Sequence, residues 1–430
     1  MKRRELLSIL GLSSLVGLTP SMWPKFAEAA TPSNRLWIIV RASGGWDPVS
    51  FCNPHAKDYT ITDSKGVTTS RGPMSHYPES FVETLGGIRY APGITASAER
   101  SYGTFVEKYY QELLVINGIE MNTNDHDTGS RLSLSGSGGL EHPAFAAYAA
   151  ASINKSLPLS FLTASGYSNT AGLTSKVNVQ GVNNLSKVTE PNLLTNNKEV
   201  FSKELFERLE LESLQRIERQ SSQSTLPRQI SELKSFYDAQ LSSVELKLLK
   251  EKMPITLEQN GRFSAIQYIC AAMAANLTVS GQLSLGGSWD THDSHDVNAG
   301  YCLKYMVEGL DFLCQEAARQ GILDRLNIMV TSDFGRTPYY NSDNGKDHWT
   351  VGSMLFMGPD FDGNRMINAT NSNAHAIKMN LNTMVPDENG EKITAKMIHK
   401  TLRAITGTVD SPMDRKIPID APIAPKLFKV

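Results

Sequence analysis

The stretch LWIIVRASGGWD, Leu36 to Asp47, decides the fold class. Its first five residues are apolar without interruption, and such a run is typical of a strand buried on both faces of a parallel sheet. Gly44 and Gly45 then allow the chain to turn sharply out of the strand. The stretch therefore predicts an α/β fold in which Asp47 points back over the carboxyl edge of the sheet.

Four further apolar runs repeat this pattern between helical segments, at 112–118, 281–287, 326–332 and 353–358. Strands that alternate with helices predict a mostly parallel central sheet flanked by helices. The segment 198–252 differs in kind, because it carries narrow apolar stripes on highly charged helices that are broken around Pro227. We interpret it as an inserted helical hairpin, which serves as a cap or as a dimer arm.

The first thirty residues are predicted to be a signal peptide. Arg3 and Arg4 precede an apolar stretch that is short for a membrane span and ends near the small residues Ala27 and Ala29. The paired arginines followed by leucines indicate the twin-arginine export machinery, and an uncleaved membrane anchor is the alternative. We therefore expect a signal peptide at 1–30, the α/β domain at 31–430, and a protein in the periplasm or outside the cell that is not an integral membrane protein.

Composition excludes several classes of partner and site. The chain of 430 residues has 42 Lys and Arg against 44 Asp and Glu, so its charge balance indicates no nucleic-acid partner. Its four cysteines lie far apart and form no CxxC motif, which argues against a zinc knuckle or a redox motif. We interpret the cysteines as buried thiols.

Acids and histidines follow almost every predicted strand. The loops read ASGGWD after the first strand, MNTNDHD after the second, GGSWDTHDSHD after the third and SDFGRT after the fourth, and NGKDHW precedes the fifth. Since ligands of open α/β sheets bind beyond the carboxyl ends of the strands, we expect these side chains to converge. Carboxylates and imidazoles suit zinc, manganese or iron, whereas calcium prefers oxygen ligands alone. The loops therefore predict a site for one or two divalent ions.

Several residues of these loops have two interpretations. Asp47, taken alone, is typical of a helix N-cap as well as of a metal ligand. His295 is either a ligand or a residue that supports one. Arg336 and Lys346 suit an anionic group of a substrate, such as phosphate or sulfate, or form salt bridges with the neighbouring acids.

Three motifs carry a resemblance to a known family: GGWD at 44–47, GGSWDTHD at 286–293 and SDFGRTPYYNSDNGKDHW at 332–349. With the paired arginines at the start, they resemble exported bacterial proteins grouped as domain-of-unknown-function family 1501. That family is related to the alkaline phosphatase and sulfatase superfamily. The similarity extends over most of the chain after the signal peptide and implies an alkaline phosphatase-like fold.

The resemblance also implies a metal site. The resemblance assigns six residues to this site, some by direct correspondence of position and the others because they stand near an expected ligand. They are Asp47, His126, Asp290, His292, Asp333 and His348. His295 competes with His292 for one of these roles. Three departures from the family pattern stand out: Phe334 occupies the position of a paired histidine, His126 occupies that of the hydroxyl nucleophile, and Asp290 and His292 are closer in sequence than the pattern expects.

The expected function is an exported metal-dependent hydrolase of phosphate or sulfate esters, acting on an anionic small molecule or a polysaccharide. With His126 as a ligand, the nucleophile would be a metal-bound water or, as a substitute, the hydroxyl of Thr128 or Ser130. Arg336 would hold the anion, and the helical arm would allow a homodimer. The alternatives are a non-catalytic member that binds a partner or a surface polysaccharide, and a redox-active iron site.

Overall fold

The computed structural model describes residues 34–154, 157–179, 192–194, 198–230, 232–233, 243–254 and 256–429. The predicted signal peptide lies outside the described residues, and so does the segment 234–242 of the predicted hairpin. Within the ranges given above, no helix combines the length and the apolar character that crossing a membrane requires.

Strands and helices alternate through much of the chain. The described strands are β1 (Leu36–Ser43), β2 (Asp58–Thr62), β3 (Thr68–Pro73), β4 (Glu83–Leu85), β5 (Ile88–Tyr90), β6 (Leu113–Glu120), β7 (Phe161–Ala164), β8 (Lys176–Asn178), β9 (Ser280–Ser288), β10 (Leu326–Ser332), β11 (Gly335–Arg336), β12 (His348–Trp349), β13 (Val351–Met357), β14 (Arg365–Asn368), β15 (Lys378–Asn380), β16 (Val385–Pro386) and β17 (Glu391–Lys392). The described helices are α1 (Ser101–Tyr109), α2 (His126–Ser135), α3 (Phe145–Asn154), α4 (Lys203–Gln223), α5 (Ser243–Lys252), α6 (Gly261–Ala274), α7 (His295–Arg319), α8 (Ala395–Ile405) and α9 (Pro412–Lys416).

One sheet of eight strands organises the fold, in the order β14-β6-β13-β10-β1-β9-β7-β8. All five predicted runs are strands of this sheet, which confirms the α/β fold class and the mostly parallel sheet. β13 is the exception, since it pairs antiparallel with both β10 and β6. Its direction brings the residues that precede it to the edge where β1, β6, β9 and β10 end.

The core lies on both faces of this sheet, because the side chains of β1 alternate between them. Ile38 and Val40 join the apolar cluster that includes α6 and α7. Trp37 and Ile39 join the opposite cluster, with α3 and α8. The four cysteines are buried and unpaired, as expected for thiols of a core.

Two helices occupy the predicted insertion. α4 begins after Ser202, whose side chain accepts a hydrogen bond from Leu205 N, and α5 follows at Ser243–Lys252. The apolar stripe of Phe201, Leu205 and Leu209 is exposed, while Ile217 is buried. Residue 231 and residues 234–242 of the connection between α4 and α5 lie outside the described residues, so the hairpin and its role as a cap or dimer arm stay predictions.

Candidate metal centre

Close backbone packing brings the first two loops together at the carboxyl edge of the sheet. Gly44, at the end of β1, has a φ of +107°, and a Cβ there would lie 2.7 Å from the backbone nitrogen of Asp290. Only glycine fits such a conformation at such a distance. The glycine turn predicted from the sequence therefore serves to set the loop after β9 against the loop after β1.

Three imidazoles converge on one carboxylate at this edge. Asp290 Oδ1 lies 3.3 Å from His126 Nε2, 3.2 Å from His292 Nε2 and 3.5 Å from His348 Nε2. The Nε2 atoms of His292 and His348 are 3.0 Å apart. We call these four residues the histidine cluster; they come from three segments that are distant in sequence.

The opposite nitrogen of each imidazole is held by a hydrogen-bond acceptor. His126 and His292 each turn Nδ1 to a carboxylate, and His348 turns Nδ1 to a backbone carbonyl. The acceptors are Asp333 Oδ2 at 3.1 Å, Asp347 Oδ1 at 2.9 Å and Asn124 O at 2.6 Å, respectively. Since an ionised carboxylate and a carbonyl only accept, we assign the proton of each neutral ring to Nδ1. The lone pair of each Nε2 then faces the cluster.

These lone pairs require a positive charge between them. His292 Nε2 and His348 Nε2 are too close to face each other as two bare acceptors, so a proton or a cation must lie between the rings. His126 Nε2 is buried and has no hydrogen-bond partner within the described residues. An imidazole that donates Nδ1–H to a carboxylate or carbonyl and leaves Nε2 bare is the usual form of a metal ligand. The donor set of three nitrogens and one carboxylate fits zinc, manganese or iron.

Electrostatics favour the ligand form of Asp290 and His348. Burial raises the pKa of Asp290, but the hydrogen bond and charge of Arg336 outweigh it and leave the pKa at about 2. Burial lowers the pKa of His348, which favours its neutral ring. Asp290 is therefore ionised and His348 can offer a lone pair.

Phe334 explains one departure from the family pattern. Its buried ring packs 4.8 Å from the ring of His126 and 4.6 Å from that of His348, measured between centroids. A phenyl ring offers no ligand atom, so this position supports the two imidazoles by packing. The histidine that the pattern expects here is absent, and His126 supplies an imidazole from another element.

Asp47 is not part of the histidine cluster, and its contacts do not favour the predicted role as a metal ligand. The side chain is fully buried, and its Oδ2 accepts from Lys346 Nζ at 2.7 Å, from His295 Nε2 at 3.1 Å and from Ser50. Its Oδ1 accepts from Val49 N, so the capping alternative describes it correctly. The ammonium of Lys346 thus balances the charge that a metal would have balanced.

Asp333 holds a ligand rather than being one. Its Oδ1 accepts from Arg41 Nη2 at 2.9 Å and from Ser130 at 3.1 Å, and its Oδ2 accepts from Gly44 N and from His126 Nδ1. Both oxygens are therefore directed away from the space between the imidazoles. Sequence reasoning missed Arg41, although a charged residue that ends an otherwise apolar strand is a signal that an acid lies nearby.

The structure does not support the anion-binding role predicted for Arg336. The guanidinium is buried and donates to Gly45 O at 2.8 Å, to Lys346 O at 3.0 Å, to Gly44 O and to Asp290 at 2.6 Å. With these donors engaged, the salt-bridge alternative describes Arg336. Lys346 is likewise buried against Asp47.

Thr128 was predicted as a substitute nucleophile. Its backbone N–H donates to the N-cap residue Asp125, and its hydroxyl lies 3.4 Å from Arg131 Nη2. Within the described residues it makes no contact with the three imidazoles. Ser130 donates to His126 O and Asp333, so it too is engaged. The hydroxyl of Thr128 therefore lacks the base that an activated nucleophile needs, whereas that of Ser130 faces the carboxylate of Asp333 outside the histidine cluster.

Comparisons with known proteins give one family and several distant structures. A family model described as "Protein of unknown function (DUF1501)" matches residues 37–390. No curated protein matches the sequence.

Three solved structures illustrate the distant likeness. Ps i-CgsB in complex with k-i-k-neocarrahexaose has a TM-score of 0.34 and 11% identity, over 90% of this chain and 74% of that chain. A putative sulfatase from Bacteroides thetaiotaomicron VPI-5482 has 0.35 and 10%, over 93% and 75%. The phosphonate monoester hydrolase of Agrobacterium radiobacter has 0.30 and 11%, over 87% and 74%.

Proposed function

The chain belongs to the DUF1501 family, since the match to 37–390 covers most of it, and on this premise we propose that it is a divalent-metal-dependent hydrolase of phosphate or sulfate esters. The match confirms the family expected from the motifs. The observation that carries the proposal is the convergence of three Nε2 atoms on Asp290 while each Nδ1 is held by an acceptor. His126, Asp290, His292 and His348 would hold the ion.

A bound divalent ion would supply Lewis-acid stabilisation of the negative charge that develops on the ester oxygens. The protein supplies the geometry. Asp333 and Asp347 fix the rings of His126 and His292 through their Nδ1 protons. Arg336 keeps Asp290 ionised, and its donors face that carboxylate, backbone carbonyls and, at 3.5 Å, Nε2 of His292.

Exposure favours access of an ester from solvent. The side chains of Asp290 and His292 are 40% and 47% exposed, while Asp333 and Arg336 beneath them are buried. The cluster is thus open on one side and supported on the other. Such an arrangement suits a substrate larger than the site itself, because the remainder of the molecule can stay in solvent or on the surface.

Metal content is the direct test. The full chain, purified from a host that exports it and without chelators, should contain zinc, manganese or iron and should hydrolyse p-nitrophenyl phosphate or p-nitrophenyl sulfate. His348→Ala and His126→Ala should lose the metal and at least about tenfold in turnover, because each removes a ligand. His76→Ala is the matched control, since this exposed histidine faces Asp296 instead. Metal-free wild-type protein with an intact fold would contradict the proposal.

A non-catalytic binding protein is the second candidate. It is favoured by the engagement of Arg336 and Lys346, which leaves neither cation free to hold an anion. Measurements on His348→Ala and on the wild type distinguish the two candidate functions. A folded variant that loses ester hydrolysis supports the enzyme, whereas wild-type protein that loads metal and hydrolyses neither ester supports the binding protein.

A further inference from the structure

A groove lies between the segment 94–101 and helix α7. Its volume is about 470 Å³, within the range of ligand sites in proteins. Ile94 and Leu303 form apolar parts of its lining, and Thr95, Ser97 and Lys304 add polar groups. We call it the α7 groove.

An aromatic stripe runs along the solvent face of α7 at this groove. Val297 and Tyr301, which line the groove, and Tyr305, one turn further along, are 60%, 59% and 50% exposed, although the opposite face of the same helix is buried in the core. Residues four apart in a helix lie on one face, with Cβ atoms about 5–6 Å apart. Three neighbouring exposed apolar side chains are not explained by packing, because no part of the core lies over them.

The chemistry of this surface matches that of a sugar chain. A tyrosine ring offers a flat apolar face for the C–H groups of a sugar ring, and its hydroxyl offers a polar edge. The hydroxyls of Thr95 and Ser97 and the ion pair of Lys304 with Glu99, at 2.8 Å, lie in or beside the groove. Such groups can exchange hydrogen bonds with sugar hydroxyls, while a purely apolar partner would leave them unpaired.

A second copy of the chain fits this surface less well. Three half-exposed side chains offer far less than the roughly 800 Å² per partner that a stable interface buries. A polysaccharide needs only a narrow platform, since successive sugars bind along a line.

The position of the groove connects it to the histidine cluster. The loop that carries Asp290 and His292 runs directly into α7, which begins at His295. From His295 to Tyr305 the helix rises about 15 Å. The N-terminal end of the stripe, at Val297, is five residues along the chain from His292.

We propose that the α7 groove binds a polysaccharide chain, so that the ester substrate is carried by a polysaccharide. The claim that a polysaccharide binds here rests on the α7 groove and the aromatic stripe. The identification of the substrate also rests on the proposed function. The inference assigns Tyr301 and Tyr305 as the stacking platform.

The test measures binding and turnover separately. Native electrophoresis of the full chain through gels that contain a sulfated galactan, its desulfated form or a neutral glucan should show retardation by at least one of them. Tyr301→Ala with Tyr305→Ala should weaken that retardation about tenfold, whereas the same pair changed to Phe should keep it, because the ring face is retained. Leu140→Ala is the matched control for loss of an exposed apolar side chain, since Leu140 is 73% exposed on the segment between α2 and α3.

Each outcome is decisive for one of the two claims. Unchanged hydrolysis of a p-nitrophenyl ester in the Ala pair, with weakened polysaccharide binding, supports the inference. Polysaccharide binding without any ester hydrolysis would overturn the proposed function and leave the binding groove standing. Absence of retardation in all gels overturns the inference, and so does a wild-type dimer that the Ala pair dissociates in analytical ultracentrifugation.

Discussion

At the scale of single residues, charge pairing distinguishes Asp290, the proposed metal ligand, from Asp47 and Asp333. Each aspartate at the carboxyl edge of the sheet faces a basic side chain of the same chain; the pairs are Asp47 with Lys346 at 2.7 Å, Asp290 with Arg336 at 2.6 Å and Asp333 with Arg41 at 2.9 Å. A buried carboxylate needs such a partner because desolvation disfavours its charge. Asp290 is the most exposed of the three, and it alone also faces the three Nε2 atoms. The ligand set is therefore rich in imidazole and poor in carboxylate.

A substitution of Asp347 tests whether the carboxylate that holds His292 Nδ1 supports metal binding. Asp347→Ala removes the acceptor that holds His292 Nδ1, at 2.9 Å, while the side chain is 54% exposed and contributes little to the core. Metal affinity should fall about 10- to 100-fold, because the ring loses its orientation and its assigned proton position. Competition with a chromogenic chelator measures this. Asp343→Ala, in the same loop, should bind metal as the wild type does, and equal losses in both variants would contradict the assignment.

A substitution of Lys346 tests how much its buried ammonium group stabilises the fold. Lys346→Met leaves the carboxylate of Asp47 buried without its closest partner, so the free energy of unfolding should fall by about 3–5 kcal/mol. Asp47→Asn combined with Lys346→Met should recover part of this loss, because the uncompensated charge is removed together with its partner. Urea denaturation measures both. A single variant as stable as the wild type would show that the pair is not needed.

At the scale of elements, short pairings position the ligands. The two-residue strands β11 and β12 pair Arg336 with His348, which sets that imidazole beside the guanidinium that holds Asp290. Helix α2 begins at His126 because Asp125 caps it by accepting from Thr128 N. The imidazole is thereby fixed at the first residue of the helix, where it faces the loop after β9.

The contact between α8 and α2 predicts a pH dependence. His399 on α8 is buried, and its Nε2 donates to Ser133 O of α2 at 2.9 Å. Burial lowers the pKa of His399 from 6.5 to about 4. The unfolded chain then binds the proton first, so stability is lost as the pH falls below 6.5, and the loss continues to about 4.

The full loss from this histidine amounts to about 3 kcal/mol, by the usual conversion of a pKa difference. Thermal unfolding at pH 7.5 and pH 5 measures it. His399→Gln keeps a donor for the carbonyl and removes the titration, so its melting temperature should fall less between the two pH values. An equal fall in both proteins would assign the acid sensitivity to other groups.

At the scale of the whole molecule, the residues that stabilise the fold lie apart from the residues of the candidate site. Two apolar clusters fill the two faces of the sheet, and the polar cluster lies at one edge of it. The loops at this edge can therefore carry charged and polar residues without interrupting the core.

Export through the twin-arginine pathway is a prediction about the whole molecule. Arg3→Lys with Arg4→Lys should retain the full-length precursor in the cytoplasm, because the twin-arginine pair is the expected export signal. Cell fractionation followed by immunoblotting measures this. Lys2→Gln is the control, and secretion of the double variant at the wild-type level would contradict the twin-arginine route.

The sequence by itself determined the strands of the central sheet and the edge where the polar loops meet. Uninterrupted apolar runs are buried in only a few ways, and parallel strands bring their carboxyl ends together. It also placed His126, His292 and His348 in those loops, without deciding between His292 and His295 as the member of the cluster. Only the tertiary structure decided which acid joins them. Lys346 reaches Asp47 across 299 residues of sequence, and Arg41 reaches Asp333 across 292. Spacing along a chain does not specify which oxygen faces which cation; side-chain packing at the edge of the sheet does.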